Sequence, residues 1–490
     1  MSAPLQIDEA LVRSVVEEVV RAFGRPAAAP AASAPSATPA IVTSSGGRRY
    51  GVFPDAPSAV SAAQVAFEQL RAKGVEGRAK VIEIVKTLCT KNAEAWGKFE
   101  FEETKIGRLA HKVEKLQIVK LVPGVEWLRP DARSGDHGIT LEEYTPYGVV
   151  AAILPVTHSI PTLSGNIVNM VAAGNSVVFN AHPGGARSAA LAVRTFNEAI
   201  FAEIGIENLV CCIEKPSIES FDALCKAPEV RLICVTGGPA VVAAAMKSGK
   251  RAICAGPGNP PVLVDGTGCI DKAARNIIQG GAFDNNLLCI GEKEVFVLNS
   301  IFDRFMESMA RAGARRINDA QLAKLTQVAF TMKPDAGGCS HPVLNRALVG
   351  ADAAVLARHA GIEVPADTPM LFAETDANHA FVIEEQMMPM LPIVRVKTVE
   401  EGIAAAARAE HGYKHSSIIH SLNVDHMTAM ARALDTTLFI KNGPCVAGLG
   451  LGGEGYLSYS IATTTGEGIS NPRTFTRTRR CVMVDNLRIY

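Results

Sequence analysis

Apolar positions along this chain fall into helical periodicity, a stretch without periodicity and short solid runs, and each pattern predicts a different kind of segment. In LQIDEALVRSVVEEVVRAF (5–23), Ile7, Leu11, Val12, Val15, Val16, Val19, Val20 and Phe23 fall on one helical face, with Asp8, Glu9, Arg13, Glu17, Glu18 and Arg21 opposite. The periodicity then stops. GRPAAAPAASAPSATPAIVTSSGG (24–47) holds too few large apolar groups for a core and reads as a disordered tether. A short helix on such a tether cannot bury its own stripe, so it wants a partner, whether another protein, its own body or a second copy. From about residue 51 the text is helical through SAAQVAFEQLRAKGVEGRAKVIEIVKTLCTKNAEAW.

Short solid apolar runs follow, separated by helical stretches. YGVVAAIL (147–154), SVVFN (176–180), LVCCI (209–213) and RLICV (231–235) predict strands buried on both faces, and HPGGARSAALAVRTFNEAIFAEI a turn entering a helix. Strands spaced by helices of this length imply right-handed crossovers and a doubly wound parallel sheet. Behind RLICV stands TGGPAVVAAAMKSG, where Gly237 and Gly238 let a ligand approach the backbone and Pro239 suits a helix's first turn. A helix starting there, past a strand's carboxyl end, is placed to hold a pyrophosphate, although a glycine pair also serves plain tight packing. GLGLGG, with Gly448, Gly450 and Gly453, also spells a nucleotide fingerprint, but it lies outside any strand–helix–strand unit and is read as a loop.

Composition narrows the class. A chain of 490 residues with 48% hydrophobic and 20% charged content is expected to build two or three globular domains. Acidic and basic residues balance at 49 each, which leaves no footprint for nucleic acid. No apolar run reaches the ~20 residues that cross a bilayer, and the N-terminus does not read as a secretory signal. Eleven cysteines, an odd number without zinc-like or disulfide-framework spacing, point to free thiols in a reducing cytoplasm and to no metal site. Adjacent Cys211 and Cys212 should point to opposite faces of one strand. Most of these thiols read as small core hydrophobes.

Cys289, in FDNNLLCIGEKEV (283–295), reads differently once its neighbours are placed in order. PVTHSIP (155–161), NAHP (180–183), VTGG (235–238), AGPGNPPVLVD (255–265), FDNNLLC (283–289), EEQMMPMLP (384–392) and NGPCVAGLGLGGEG (442–455) form a series that resembles the aldehyde dehydrogenase superfamily. Its CoA-acylating branch, which includes propionaldehyde and acetaldehyde dehydrogenases of bacterial microcompartments, is the nearer likeness. The resemblance covers about residues 50–490. It implies an α/β subunit with a doubly wound nicotinamide-binding domain (48–123 and 143–254), an α/β catalytic domain (255–469) and a small oligomerisation element (124–142 and 470–490).

The resemblance makes Cys289 the nucleophile: its thiolate adds to an aldehyde, a hydride leaves for NAD, and a thioester remains. Main-chain N–H groups, that of Cys289 among them, would hold the oxyanion. Hydrolytic relatives carry a water-activating glutamate where this chain has Cys254, in Cys254-Ala255-Gly256-Pro257. Without that base, water loses a ~10²–10⁴-fold advantage, and a thiol acceptor, CoA, is favoured as co-substrate. Glu385 matches the glutamate on the nicotinamide ribose, and Thr236, Gly237 and Gly238 the pyrophosphate turn. Asn180 and His182 replace a lysine-bearing stretch beside the adenosine ribose, leaving the choice between NAD and NADP open. Thr157 or His158 stands where relatives have an asparagine that donates to the oxyanion. Leu288 replaces a proline common in close relatives. The helix 1–23 and linker 24–47 resemble a microcompartment encapsulation segment, which implies a shell protein as partner and a homo-oligomer inside the compartment. The expected activity is oxidation of a short aldehyde, propionaldehyde before acetaldehyde. A reductive acyl-phosphate relative and a non-catalytic microcompartment scaffold are the competing readings.

Overall fold

The computed structural model describes residues 49–334 and 340–485; the helix expected over 5–23 and its tether lie outside them. Thirteen strands in chain order build two large sheets. The first contains β1 (Val52–Phe53), β2 (Val149–Leu154), β3 (Ser176–Ala181), β4 (Val210–Ile213), β5 (Val230–Thr236) and β6 (Arg251–Ala255). All pairs are parallel, in the order β1-β4-β3-β2-β5-β6. Every residue of β2 and β3 is buried, as their unbroken apolar text demands.

Helices cover both faces. Cys212, Phe179 and Val150 pack with Leu163, Ile167, Phe196 and Ile200 of the helices Ser159–Ala172 and Ala186–Ile204. Cys211, Val178 and Ala151 face the other way, onto Phe221, Leu224 and Val242 of the helices Ile218–Lys226 and Pro239–Lys247. The two neighbouring cysteines therefore lie in different cores, as strand alternation requires. Connections run outward from β2 to β3 and β4, then cross back to β5 on the other side of β2. That reversal opens a crevice beyond the carboxyl ends of β2 and β5.

The second sheet is also all parallel: β7 (Pro261–Val264), β8 (Glu294–Leu298), β9 (Arg315–Arg316), β10 (Leu371–Thr375), β11 (Met390–Val396), β12 (Ser416–His420) and β13 (Leu438–Lys441), ordered β9-β10-β11-β8-β7-β12-β13. A third, antiparallel sheet joins the hairpin Asp131–Gly135 and Gly138–Pro146 to Thr476–Val484. Its last strand has a free edge and exposes Val482, Met483 and Val484. GLGLGG forms a 3-10 turn (Cys445–Leu449) and loop, with Gly450 in the left-handed region at φ 81°. No helix among the described residues is long and apolar enough to cross a membrane.

Candidate active site

One cavity of about 510 Å³ gathers all nine residues singled out from the sequence. Thr157 and His158 follow β2; Asn180 lies one residue before the end of β3, with His182 just beyond it; Thr236 ends β5 and Gly237 and Gly238 follow; Cys289 and Glu385 come from loops ahead of β8 and β11. The volume suits a small-molecule site, and most of the remaining wall is apolar, from Ile153, Ile218, Phe221, Val241, Leu287 and Ile461.

The glycine turn is open rather than tightly packed. A Cβ built on Gly238 would meet nothing within 4 Å, and one on Gly237 only Val235, at 4.0 Å. Gly238 caps the helix Pro239–Lys247 without any side chain on its N-terminal N–H groups. At the helix Ala186–Ile204 the equivalent groups are taken, because Glu103 accepts from Arg187 N at 2.9 Å and Ser188 N at 2.7 Å. Of these two helix starts only the first is free for an anion, so the residues fit a dinucleotide pyrophosphate.

Asn180 and His182 are held by local bonds. Asn180 Oδ1 accepts from Ser220 Oγ at 2.6 Å, and His182 Nδ1 accepts from Gly184 N at 3.0 Å. Burial and the Arg346 charge keep His182 below its usual pKa. Thr236 Oγ1 turns to Ser460 Oγ at 2.7 Å, so Thr236 contributes to the cavity wall with its hydroxyl already engaged.

The turn carrying Cys289 is built from three consecutive left-handed residues, Asp284, Asn285 and Asn286, at φ 49°, 56° and 67°. Asp and Asn tolerate this region best among residues with a Cβ. Each is tied down. Asp284 Oδ2 accepts from Lys115 Nζ at 2.5 Å, Asn285 Oδ1 from Arg108 Nε at 2.7 Å, and Asn286 Nδ2 donates to Gly281 O and Glu292 O, both at 2.8 Å. Lys112, on the same helix (Leu109–Gln117), donates to Thr157 O at 2.5 Å and pairs with Glu100 at 3.3 Å. Two buried lysines thus fix the Cys289 turn and the Thr157 loop to one helix. Sequence reading missed them; the lysines, spaced i,i+3 on a helix face, look like ordinary surface charge.

Cys289 is partly exposed, and a Cβ on Gly258 would lie 2.7 Å from its carbonyl oxygen, so only glycine fits there. Burial, then the Glu385 carboxylate, push the Cys289 thiol up to about 12, while Lys293 and the N–H groups of Cys289 and Ile290 pull it down. Glu385 itself is raised by burial, opposed by Lys293 and the Gly258 N–H. His158 is buried, its Nδ1 lacks a hydrogen-bond partner, and burial with the Lys115 and Lys112 charges holds it well below its usual pKa. A neutral imidazole is therefore expected there. Cys254 points away, into the core under the first sheet, and Glu385 is the one carboxylate on the cavity wall among the described residues.

The sequence profile of the aldehyde dehydrogenase family matches residues 38–454. The chain is 43% identical to the acetaldehyde dehydrogenase (acetylating) EutE of Salmonella typhimurium over 441 residues, 90% of this chain and 93% of that protein. The propionaldehyde dehydrogenase of Rhodopseudomonas palustris, solved with CoA bound and an acylated cysteine, superposes with a TM-score of 0.86 at 42% identity, covering 90% of this chain and 100% of that one. The propionaldehyde dehydrogenase from the fucose-utilisation microcompartment of Clostridium phytofermentans gives the same TM-score, 0.86, at 42% identity over the same shares, 90% and 100%.

Proposed function

The chain belongs to the aldehyde dehydrogenase family, and from that premise we propose a CoA-acylating enzyme that converts a short aldehyde, CoA and NAD to acyl-CoA and NADH. The observation that carries this reading is the cavity wall itself: a partly exposed thiol, an open helix N-terminus, and no acid where hydrolytic relatives activate water. Propanal is placed ahead of acetaldehyde.

Cys289 Sγ adds as the thiolate to the carbonyl carbon and gives a hemithioacetal. Its oxyanion meets the main-chain N–H of Cys289 and a donor from Thr157 or His158, both on a loop held by Lys112. NAD, when bound, accepts the hydride that leaves this carbon. Thr236, Gly237, Gly238 and the Pro239 helix start would hold its pyrophosphate, Glu385 its nicotinamide ribose, and Asn180 and His182 the adenosine side. The enzyme thioester is then discharged by the CoA thiol, which takes the acyl group and returns Cys289.

A reductive acyl-phosphate enzyme is less well supported, because among the described residues no lysine or arginine side chain lines the cavity. The exposed Val482, Met483 and Val484 edge supports assembly into a homo-oligomer. Binding to a microcompartment shell protein through residues 5–23 follows from the amphipathic stripe and from the kind of compartment named for the Clostridium relative.

Steady-state assays with aldehydes from acetaldehyde to pentanal, with and without CoA, test the reading. Turnover should require CoA, with one burst of NADH per active site in its absence. Continuous NADH and free carboxylic acid without CoA would overturn it and implicate Glu385 as a water-activating base.

A further inference from the structure

Three buried lysines stand near the site, and one is unlike the others. Lys112 and Lys115 are paired with the carboxylates of Glu100 and Asp284. Lys293, four residues beyond the nucleophile and fully buried, sends its donors to carbonyl oxygens instead: Asn286 O at 2.7 Å, Asn286 Oδ1 at 2.5 Å and Leu288 O at 3.2 Å. Burial lowers Lys293 and the Glu385, Cys289, Cys445 and Glu294 groups oppose that shift; as an ammonium its three protons are all engaged, so none remains to donate to a substrate. No carboxylate neutralises it by direct contact in those bonds, and its field falls on the groups around it.

Besides Lys115 and His111 of the helix Leu109–Gln117, which bond to Asp284 at the start of the turn, those groups come from several elements. Glu385 and Cys289 act on it electrostatically, Glu292 and Glu294 flank it in sequence, Cys445 comes from the 3-10 turn, and His415 from the residue before β12. Burial raises Glu292 to about 7, lifts Glu294 well above its usual range, raises Glu385 and lowers His415 to about 4. Of these acids Cys289 is the group whose ionisation the chemistry needs. The carbonyls that Lys293 draws inward also set the peptide planes of the turn, and the Cys289 and Ile290 N–H groups face the sulfur.

We propose that Lys293 is the positioning residue of the nucleophilic turn, pinning the Asn286 and Leu288 carbonyls inward and lending a buried positive charge to the Cys289 thiolate. The inference rests on the reading of Cys289 as nucleophile. It gives the Cys289 thiolate a buried cation, opposing the Glu385 carboxylate that disfavours the anion. Gln386, whose Nε2 donates to Lys293 O at 2.9 Å and Met390 O at 3.1 Å, fixes the backbone of Lys293 to β11.

The test is the pH dependence of Cys289 alkylation in the full chain. Iodoacetamide is displaced at carbon by the thiolate with loss of iodide, and mass spectrometry of the Cys289 peptide separates this from the exposed Cys269 and Cys481. In Lys293→Met and Lys293→Gln the alkylation midpoint should rise by about one pH unit or more, the effect expected of removing a neighbouring opposite charge. The rate at neutral pH should fall about tenfold, with kcat/KM for propanal falling in step. An unchanged midpoint in a folded variant, even with kcat collapsed, would make Lys293 structural only and overturn the proposal. If neither variant folds, Lys293→Arg decides: the guanidinium keeps the charge, so a folded Lys293→Arg should hold the midpoint within about half a pH unit, and a rise of about one unit or more overturns the proposal. Failure of the underlying reading would show separately, as aldehyde-dependent NAD reduction retained by Cys289→Ala.

Discussion

The ten cysteines among the described residues are all free and differ only in surroundings. Burial raises Cys89 and Cys212 to about 12, and neither lines the cavity of about 510 Å³ that holds Cys289. Cys289 carries a similar burial penalty but has Lys293 and two main-chain N–H groups working against it. Its proposed role was readable as an expectation because FDNNLLC sits in an order of motifs that resembles the family's; the lysine was not, since GEKEV reads as charge at a strand start. Burial of single acids has a consequence that can be measured. Glu292 accepts from Cys445 N at 2.8 Å with one oxygen and has no partner for the other, and burial raises it from 4.5 to about 7. Between those values the folded chain holds a proton that the unfolded chain has given up, so this group's contribution to stability falls as pH rises through the window. Glu292→Gln should flatten the decline of Tm between pH 5 and 7; an unaltered slope would assign the decline to other groups.

Elements were readable where one period dominates. β2, β3, β4 and β5 appear where solid apolar runs predicted them, because strands buried on both faces have no polar alternation to confuse with a helix face. The long helix Ala56–Lys91 shows the limit: it is broken at Gly74, φ 65°, inside text that reads as continuous helix. Glu103 shows another, since a carboxylate capping a helix 84 residues away leaves no local signal. The two helix starts make opposite predictions. Gly238→Val should fill the open cradle and weaken NAD binding about tenfold or more with little change in Tm. Glu103→Ala should lower stability by about 1 kcal/mol, the worth of a lost cap, and leave the NAD dissociation constant within about twofold. Calorimetry and equilibrium titration read both, and equal effects on affinity would contradict the assignment of the pyrophosphate to the Gly238 end.

At the scale of the whole molecule, one sheet offers the carboxyl ends of β2 and β5, and loops ahead of β8 and β11 in the other bring in the thiol and the carboxylate. The division into cofactor, catalytic and oligomerisation parts was expected from family likeness, not from composition, which only set the number of cores. The proposed tether predicts independence of the two tasks: deleting residues 1–46 should leave kcat and KM within about twofold while abolishing recovery with microcompartment shells. Val15→Glu with Val19→Glu should do the same, and a double variant that stays with shells but loses activity would contradict the targeting role. The chemistry itself is tested most directly by trapping the acyl enzyme. Enzyme mixed with propanal and NAD, without CoA, is digested and the Cys289 peptide weighed. It should carry one propanoyl group, lost within a turnover of adding CoA as propanoyl-CoA appears, and Cys289→Ala should carry none. An unmodified Cys289 peptide beside steadily accumulating propanoate would contradict the CoA-acylating mechanism.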